Sequence, residues 1–216
     1  PSMMAGMKQK RIPTFLRTWF ECCLENRQAS ATINNDSITR FLTQGVAQGG
    51  VSSPLAWNIG IDDILHKLNK PPFTLVGFAD DLCLLISGSE PDKLVDLCQP
   101  VIDKITKLGS EKGLSFNEKK TQVVLFTLKK SKATKKVHIN KAPIEFSKEA
   151  KYLGMVLDEK LNFSSHINQK ITKCKQHLYA IRNMVGQNWG PNAHLMRWAY
   201  TGIIRPKLTY GCHVWS

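Results

Sequence analysis

The apolar positions of this chain change period several times, and each change marks an element. In PTFLRTWFECCLEN, residues 13–26, Leu16, Trp19, Phe20, Cys23 and Leu24 fall on one helical stripe. QASATI and SITRFL then flank Asn34-Asn35-Asp36, the composition of a hairpin turn. TQGVAQGGVSSP follows, a glycine-rich segment without period. Residues 54–69 read as a helix opened by Ser53-Pro54 and closed by Pro71-Pro72. Residues 73–79 and 82–87 read as strands, which leaves Asp80-Asp81 as the turn between them. An amphipathic helix is predicted over 91–112, with Pro91 near its start and Gly113 just past its end. TQVVLF (121–126) reads as a strand and KKSKATKK (129–136) as a basic loop. VHIN and IEF suggest a small hairpin across Lys141-Ala142-Pro143, and KYLGMVLD (151–158) a further single strand.

Beyond residue 160 the pattern turns helical. Ile167, Ile171, Cys174, Leu178 and Ile181 carry a predicted helix over 164–187, and Pro191 opens a second over 191–205. The pattern reads as mixed α and β over residues 1–160, then as a basic helical region over 161–216. At 216 residues the chain is long enough for a real core.

Composition narrows the class. Six cysteines without CxxC spacing suggest reduced thiols in an intracellular protein, and no Cys/His pair has zinc-finger spacing. No signal peptide and no apolar stretch long enough for a bilayer are visible, so no membrane partner is expected. The start on Pro1 and the end on Trp215-Ser216 suggest a piece cut from something longer. The net charge of +13 is one-sided. Residues 1–103 hold 9 Lys and Arg against 11 Asp and Glu, whereas residues 104–216 hold 21 against 6. From Lys160 onward eight Lys and Arg occur with no acidic residue. Such a field fits a polyanion, most commonly nucleic acid; the plainer alternative is a solubilising face.

FTLVGFADDLCLLIS, residues 73–87, poses the sharpest chemical question. Burying an unpaired carboxylate costs several kcal/mol, yet Asp80 and Asp81 stand side by side between apolar runs. At a hairpin tip they escape that cost. There they are hard oxygen ligands suited to Mg²⁺, which takes one or two protein carboxylates together with water and substrate phosphates. Two such ions roughly 4 Å apart activate a hydroxyl and stabilise a leaving pyrophosphate. The competing explanation is an ordinary polar turn, where Asp is common.

The residues here resemble a known family. FADD between hydrophobic runs resembles the motif C box of reverse transcriptases, and GVAQGGVSSPLAWNI (45–59) resembles their motif B, with Gly45, Gln48, Gly49, Ser53, Pro54 and Asn58 in place. Ala47 stands where the family often has Pro. GLSFNEKKTQVVLF (113–126) resembles motif D, with Lys120 at the motif's lysine. YLGMVLD (152–158) resembles the primer-grip strand of the non-LTR retrotransposon enzymes, and the basic helices after 163 correspond to a thumb.

That resemblance implies an α+β fold: a partial polymerase palm, an antiparallel sheet with helices on one face, over 1–160 and a basic, helical thumb-like region over 161–216. It implies an RNA-directed DNA polymerase that joins RNA template, DNA primer and dNTP by two-metal nucleotidyl transfer, with two Mg²⁺ or Mn²⁺ ions. Asp80 and Asp81 would be metal ligands and catalytic. Lys120 would place a cation near the leaving pyrophosphate; otherwise it is a solvated lysine beside Lys112 and Lys119. Gly45, Gln48, Gly49, Ser53, Pro54 and Asn58 would contact template and nucleotide, with Phe78 and Ala79 beside them. Ser53-Pro54 also suits a helix start. Tyr152, Leu153 and Gly154 would form the primer grip. Lys170, Lys173, Lys175, Arg182, Arg197, Arg205 and Lys207 would meet phosphates. Trp189, Trp198 and Tyr200 are expected in the core rather than as stacking platforms.

Asp62-Asp63 read as surface or capping residues, and His138, His166, His177, His194 and His213 receive no chemistry. The family's motif A aspartate precedes the helix at 13–26, and no aspartate occurs before Asp36. A fragment without motif A and fingers, inactive alone, is therefore expected, with the missing N-terminal segment of the same polypeptide as a partner. Action on the genome implies a nuclear location. Two alternatives stay open: a non-catalytic nucleic-acid-binding remnant of a degenerate mobile element, and a group II intron-like reverse transcriptase, since Gly49-Gly50 occurs there too.

Overall fold

A computed structural model of the chain describes residues 2–34, 36–43, 45–129, 133–186 and 189–215. Asn35, Gln44 and residues 130–132, on which the expected turn, glycine-rich segment and basic loop partly fall, lie outside the described residues. The chain divides into two compact units, residues 1–121 with 137–143 and residues 122–136 with 144–216.

In the first unit, α1 (Ser2–Gln9), which periodicity did not announce, packs against α3 (Ser53–Leu68). A Cβ on Gly6 would lie 3.1 Å from the Ile59 carbonyl oxygen, so glycine permits the close approach. The predicted helix at 13–26 is α2 (Thr14–Leu24), but none of its residues is buried and Trp19 is half exposed. β1 (Gln28–Ile33) and β2 (Asp36–Phe41) pair antiparallel, so Asp36 belongs to the strand. β3 (Phe73–Phe78) pairs with β4 (Asp81–Ile86), and α4 (Pro91–Glu111) ends at Gly113 with φ +74°. Ile61 and Ile64 of α3, Leu75 of β3, and Val101 and Ile105 of α4 form the core, flanked by Trp57, Leu65, Phe73 and Leu82.

The small hairpin is β5 (Val137–Ile139) with β6 (Ala142–Ile144). Its turn is Asn140-Lys141, with φ +49° and +70°, not 141–143 as predicted. Both central residues have the positive φ that primed two-residue turns demand. The side chain of Gln99 on α4 acts as a strand edge for it: its amide nitrogen donates to the His138 carbonyl, and its oxygen accepts from the His138 N–H, both at 2.9 Å.

Two strand predictions fail in the second unit. Residues 121–126 make no ladder; Val123 forms one isolated bridge to Phe146. The N–H groups of Ser147 and Lys151 instead bond the Val123 carbonyl and the Gln122 side chain. Residues 151–158 are not one strand but the hairpin of β7 (Glu149–Tyr152) and β8 (Met155–Asp158), reversed at Leu153-Gly154 with φ +47° and +79°. A bulky residue in the left-handed region costs roughly 1–2 kcal/mol, so other contacts must hold Leu153 there. Among the described residues every named ladder is two-stranded, in place of the single sheet expected. The mixed α+β class itself holds.

α5 (Ser164–Arg182) follows, ending five residues short of prediction. The last helix starts later than Pro191: Asn192 caps α6 (Ala193–Ala199) by accepting from the Leu195 N–H at 2.8 Å. A π-helical stretch (Tyr200–Ile204) leads into α7 (Arg205–Leu208), and α8 (Cys212–Trp215) closes the chain. The core of this unit includes Val156, Cys174, Ile204 and His166.

His166 is a structural node. The buried Val156 N–H donates to its Nδ1 at 3.1 Å. The imidazole is thus neutral with its proton on Nε2, and a second proton would land on Nδ1 and break that bond. Burial lowers its pKa from 6.5, the Lys170 charge acts the same way, and the Tyr210 backbone opposes them. The neutral form is therefore favoured in the fold. Its stabilisation is complete above pH 6.5 and is lost as pH falls through 6.5 toward the lower folded value. Hydrogen exchange at the Val156 amide tests this. Protection, corrected for intrinsic rate, should fall between pH 7.5 and 5.5. In His166→Leu protection should already be low at pH 7.5, because an orphaned buried N–H costs about 1–3 kcal/mol. Protection that ignored pH would contradict the assignment.

Candidate functional site

The β3–β4 register pairs Phe78 with Asp81, so Ala79 and Asp80 make the turn and Asp81 is the first residue of β4. This moves the predicted turn by one residue. Leu75 anchors the hairpin in the core, whereas Phe78, Ala79, Asp80 and Asp81 are all exposed. The acidic pair thus avoids the desolvation that made it anomalous in the sequence.

Two contacts fix the tip against α3. Ala79 has φ +51°, unfavourable for a residue with a Cβ. Trp57 on α3 donates its indole N–H to the Ala79 carbonyl at 2.6 Å. At Gly77 a Cβ would sit 3.1 Å from Leu65 Cδ1 and 3.3 Å from Leu82 Cδ2, so the absence of a side chain eases the close approach of β3 to the helix. An open groove of about 270 Å³ runs beside the tip, lined by Asn58, Ile61, Asp62, Leu65, Gly77 and Ala79.

The glycine-rich segment leads into the N-terminus of α3, about one turn before Trp57. Gly45 and Gly49 have φ +79° and +84°, where glycine is needed. Arg27 donates through Nη2 to the Gly45 carbonyl at 2.8 Å and through Nε to the Leu24 carbonyl at 3.2 Å, which ties the segment to the end of α2. The Ser53 hydroxyl does not cap the helix. It donates back to the Ala47 carbonyl, and Ser52 occupies the N-cap position without a side-chain bond. The Ser53 donor is therefore committed to closing the loop, while Gln48, Pro54 and Asn58 are exposed.

Lys120 is exposed at the end of a turn in which Asn117 Oδ1 accepts from the Lys120 N–H at 3.2 Å. Asp62 and Asp63 lie within α3 and do not cap it: Asp62 pairs with Lys10 at 2.6 Å, and Asp63 with Lys67 at 3.0 Å and Lys112 at 3.5 Å. The Lys67 hydrogen bond leads in holding the Asp63 carboxyl below its ordinary range; burial opposes it, and Lys112 assists. Among the described residues no three ligating side chains gather in one place. Asp80 and Asp81, exposed and anionic, suit an ion that completes its shell with water and phosphate.

In the second unit, Tyr152 ends β7, while Leu153 and Gly154 form the exposed turn. Lys173, Lys175, Arg182, Arg197 and Arg205 are exposed along α5, α6 and α7. Two other expected phosphate ligands are engaged within the fold. The Lys170 ammonium lies 4.3 Å from the centroid of the Tyr210 ring, and Lys207 Nζ bonds His177 Nε2. Trp189, Trp198 and Tyr200 are not core residues: all three are more than half exposed. Their aromatic bulk pointed to burial, which residue type alone does not guarantee. Trp57, Arg27 and Tyr210 escaped the sequence reading, because an aromatic in an apolar helix and a lone arginine carry no positional signal.

Comparison with known proteins gives the context. The reverse transcriptase (RNA-dependent DNA polymerase) family matches residues 4–157. A retrovirus-related Pol polyprotein from type-1 retrotransposable element R1 of Nasonia vitripennis is 28% identical over 79% of this chain and 52% of its own length. A probable RNA-directed DNA polymerase from transposon BS of Drosophila melanogaster is 27% identical over 89% of this chain and 22% of its own length. The RNA-directed DNA polymerase from mobile element jockey of Drosophila funebris is 28% identical over 76% of the chain and 18% of its own length. The chain thus spans about half or less of these relatives. No solved structure matches it significantly. No described helix is long and apolar enough to cross a membrane. With the family match spanning residues 4–157, the chain belongs to the reverse transcriptase family, of the non-LTR retrotransposon type that its sequence boxes indicate.

Proposed function

We propose that this chain carries part of the catalytic palm of an RNA-directed DNA polymerase, which extends a DNA primer on an RNA template. The observation that carries the reading is the β3–β4 tip: two carboxylates exposed on a hairpin rooted in the core, with the Gln48–Asn58 segment leading into the helix that holds its turn. Residues 1–160 are read as the partial palm, and 161–216 as the thumb-like part.

Asp80 and Asp81 would hold Mg²⁺ or Mn²⁺. When bound, the ions supply Lewis-acid stabilisation of the attacking and leaving oxygens. Around them Gln48 and Asn58 present amides to template or nucleotide, and Gly45 and Gly49 let the backbone approach closely. Phe78 offers an exposed apolar face beside the carboxylates. Lys120 supplies a cation for pyrophosphate, and Tyr152, Leu153 and Gly154 meet the primer. Ser53 and Pro54 act by shaping the loop and starting α3. The exposed arginines and lysines of α5 to α7 meet duplex phosphates.

A two-ion site needs a further carboxylate, and among the described residues no group of three ligating side chains forms at this tip. The 216-residue chain is therefore proposed to be inactive by itself and to need the upstream segment of the same polypeptide. Action on the genome would put it inside the cell, in the nucleus. RNA-templated incorporation that depends on Asp80, in a polypeptide restored upstream, is the expected result; equal incorporation by Asp80→Ala would refute the assignment.

Trp57→Phe in that polypeptide keeps the ring but removes the donor to Ala79. One lost hydrogen bond of about 1 kcal/mol predicts roughly fivefold slower single-turnover extension, with duplex affinity unchanged. An unchanged rate would show that Trp57 does not position the tip.

A further inference from the structure

The Leu153-Gly154 turn is held by a small set of contacts from the end of the chain. The Tyr210 hydroxyl donates to the Leu153 carbonyl at 2.8 Å. Its ring lies flat enough against the turn that a Cβ on Gly154 would stand 3.2 Å from Cε1. Tyr210 is itself held through both its ring and its backbone. The Lys170 ammonium lies 4.3 Å from its centroid, and the Tyr210 carbonyl accepts from the Trp215 indole N–H at 3.0 Å. Gly211 has φ +72°, and a Cβ there would come 2.4 Å from Met155 Sδ, so the segment is seated directly on the first residue of β8. One residue further along β8, His166 holds the Val156 N–H.

We infer that Tyr210 is a positioning residue for the primer terminus, acting through the carbonyl of Leu153. Leu153 occupies a backbone conformation that its side chain disfavours, so the turn does not hold this shape by its own preference. The Tyr210 hydroxyl is the side-chain donor that meets the turn from outside the hairpin. Lys170, counted among the phosphate ligands from sequence, has a second role as the cation over the aromatic ring. Duplex held along α5 and the geometry of the turn are thereby linked through one side chain. The inference rests on the proposed reading of Tyr152–Gly154 as the primer contact.

The test uses the 216-residue chain and two labelled RNA/DNA duplexes, one with a recessed primer 3′ end and one blunt. Wild-type chain should bind the recessed end more tightly. Tyr210→Phe keeps the ring and its packing and removes only the hydroxyl; it should reduce that preference about fivefold, the worth of one hydrogen bond. Affinity for blunt duplex should be unchanged, which a general loss of structure would not spare. Gly211→Ala pushes on Met155 from the other side and should reduce the preference as well. If wild type prefers recessed ends and both variants keep the full preference, the role of Tyr210 is overturned while the primer reading stands. If wild type binds both duplexes equally, the primer reading fails, and the inference fails with it.

Discussion

Asp80→Asn, in a polypeptide that extends primers, will lower single-turnover incorporation about a thousandfold or more. The substitution keeps the size and turn preference of the side chain, so the hairpin should fold. What it removes is an anionic oxygen ligand. Charge stabilisation by a bound metal is worth several kcal/mol in the transition state, and each 1.36 kcal/mol is tenfold in rate. Asp81→Asn should be comparably severe, because both carboxylates are exposed at the same tip. Primer–template affinity should change little, since neither residue lies on the basic helices. A rate within tenfold of wild type for either variant would mean that the pair is an ordinary polar turn.

The second large effect concerns binding. Affinity of the 216-residue chain for primer–template duplex should fall steeply with salt. Lys173, Lys175, Arg182, Arg197 and Arg205 are exposed, and no acidic residue follows Glu159. Each phosphate neutralised contributes a slope of about −0.9 in log affinity against log salt, so about −4 to −6 is expected. That is on the order of a thousandfold between 50 and 200 mM salt. Replacing Arg197 or Arg205 with Ala should each reduce the slope by about one. Lys207→Ala should reduce it less, because Lys207 is engaged with His177. A slope near zero would reduce the basic helices to a solubilising face.

The hairpin that bears the acidic pair was legible because its two apolar runs are short and bounded. Its register was not: alternation does not say which of two adjacent aspartates joins the strand. The reversal at Leu153-Gly154 was hidden for a related reason. A two-residue turn is announced by Asn-Gly or Asp-Gly, and here a leucine takes the left-handed position with help from Tyr210, a partner distant in sequence. Residues 121–126 have the composition of a strand but no ladder partner, which composition cannot report. Trp189, Trp198 and Tyr200 show that aromatic bulk suggests burial but does not say what covers it. The motif residues were found by their order; which of them face solvent and which hold the loop, as Ser53 does, emerged only from the fold.

In the proposed reading this chain holds one part of a polymerase site, and a carboxylate from outside its 216 residues completes it. RNA-templated primer extension with Mg²⁺ tests it directly, with the 216-residue chain beside a polypeptide that adds the upstream segment. No incorporation is expected from the shorter chain, and from the longer one incorporation that Asp80→Ala abolishes. Incorporation by the shorter chain alone, or none by the longer chain above its Asp80→Ala control, would contradict it.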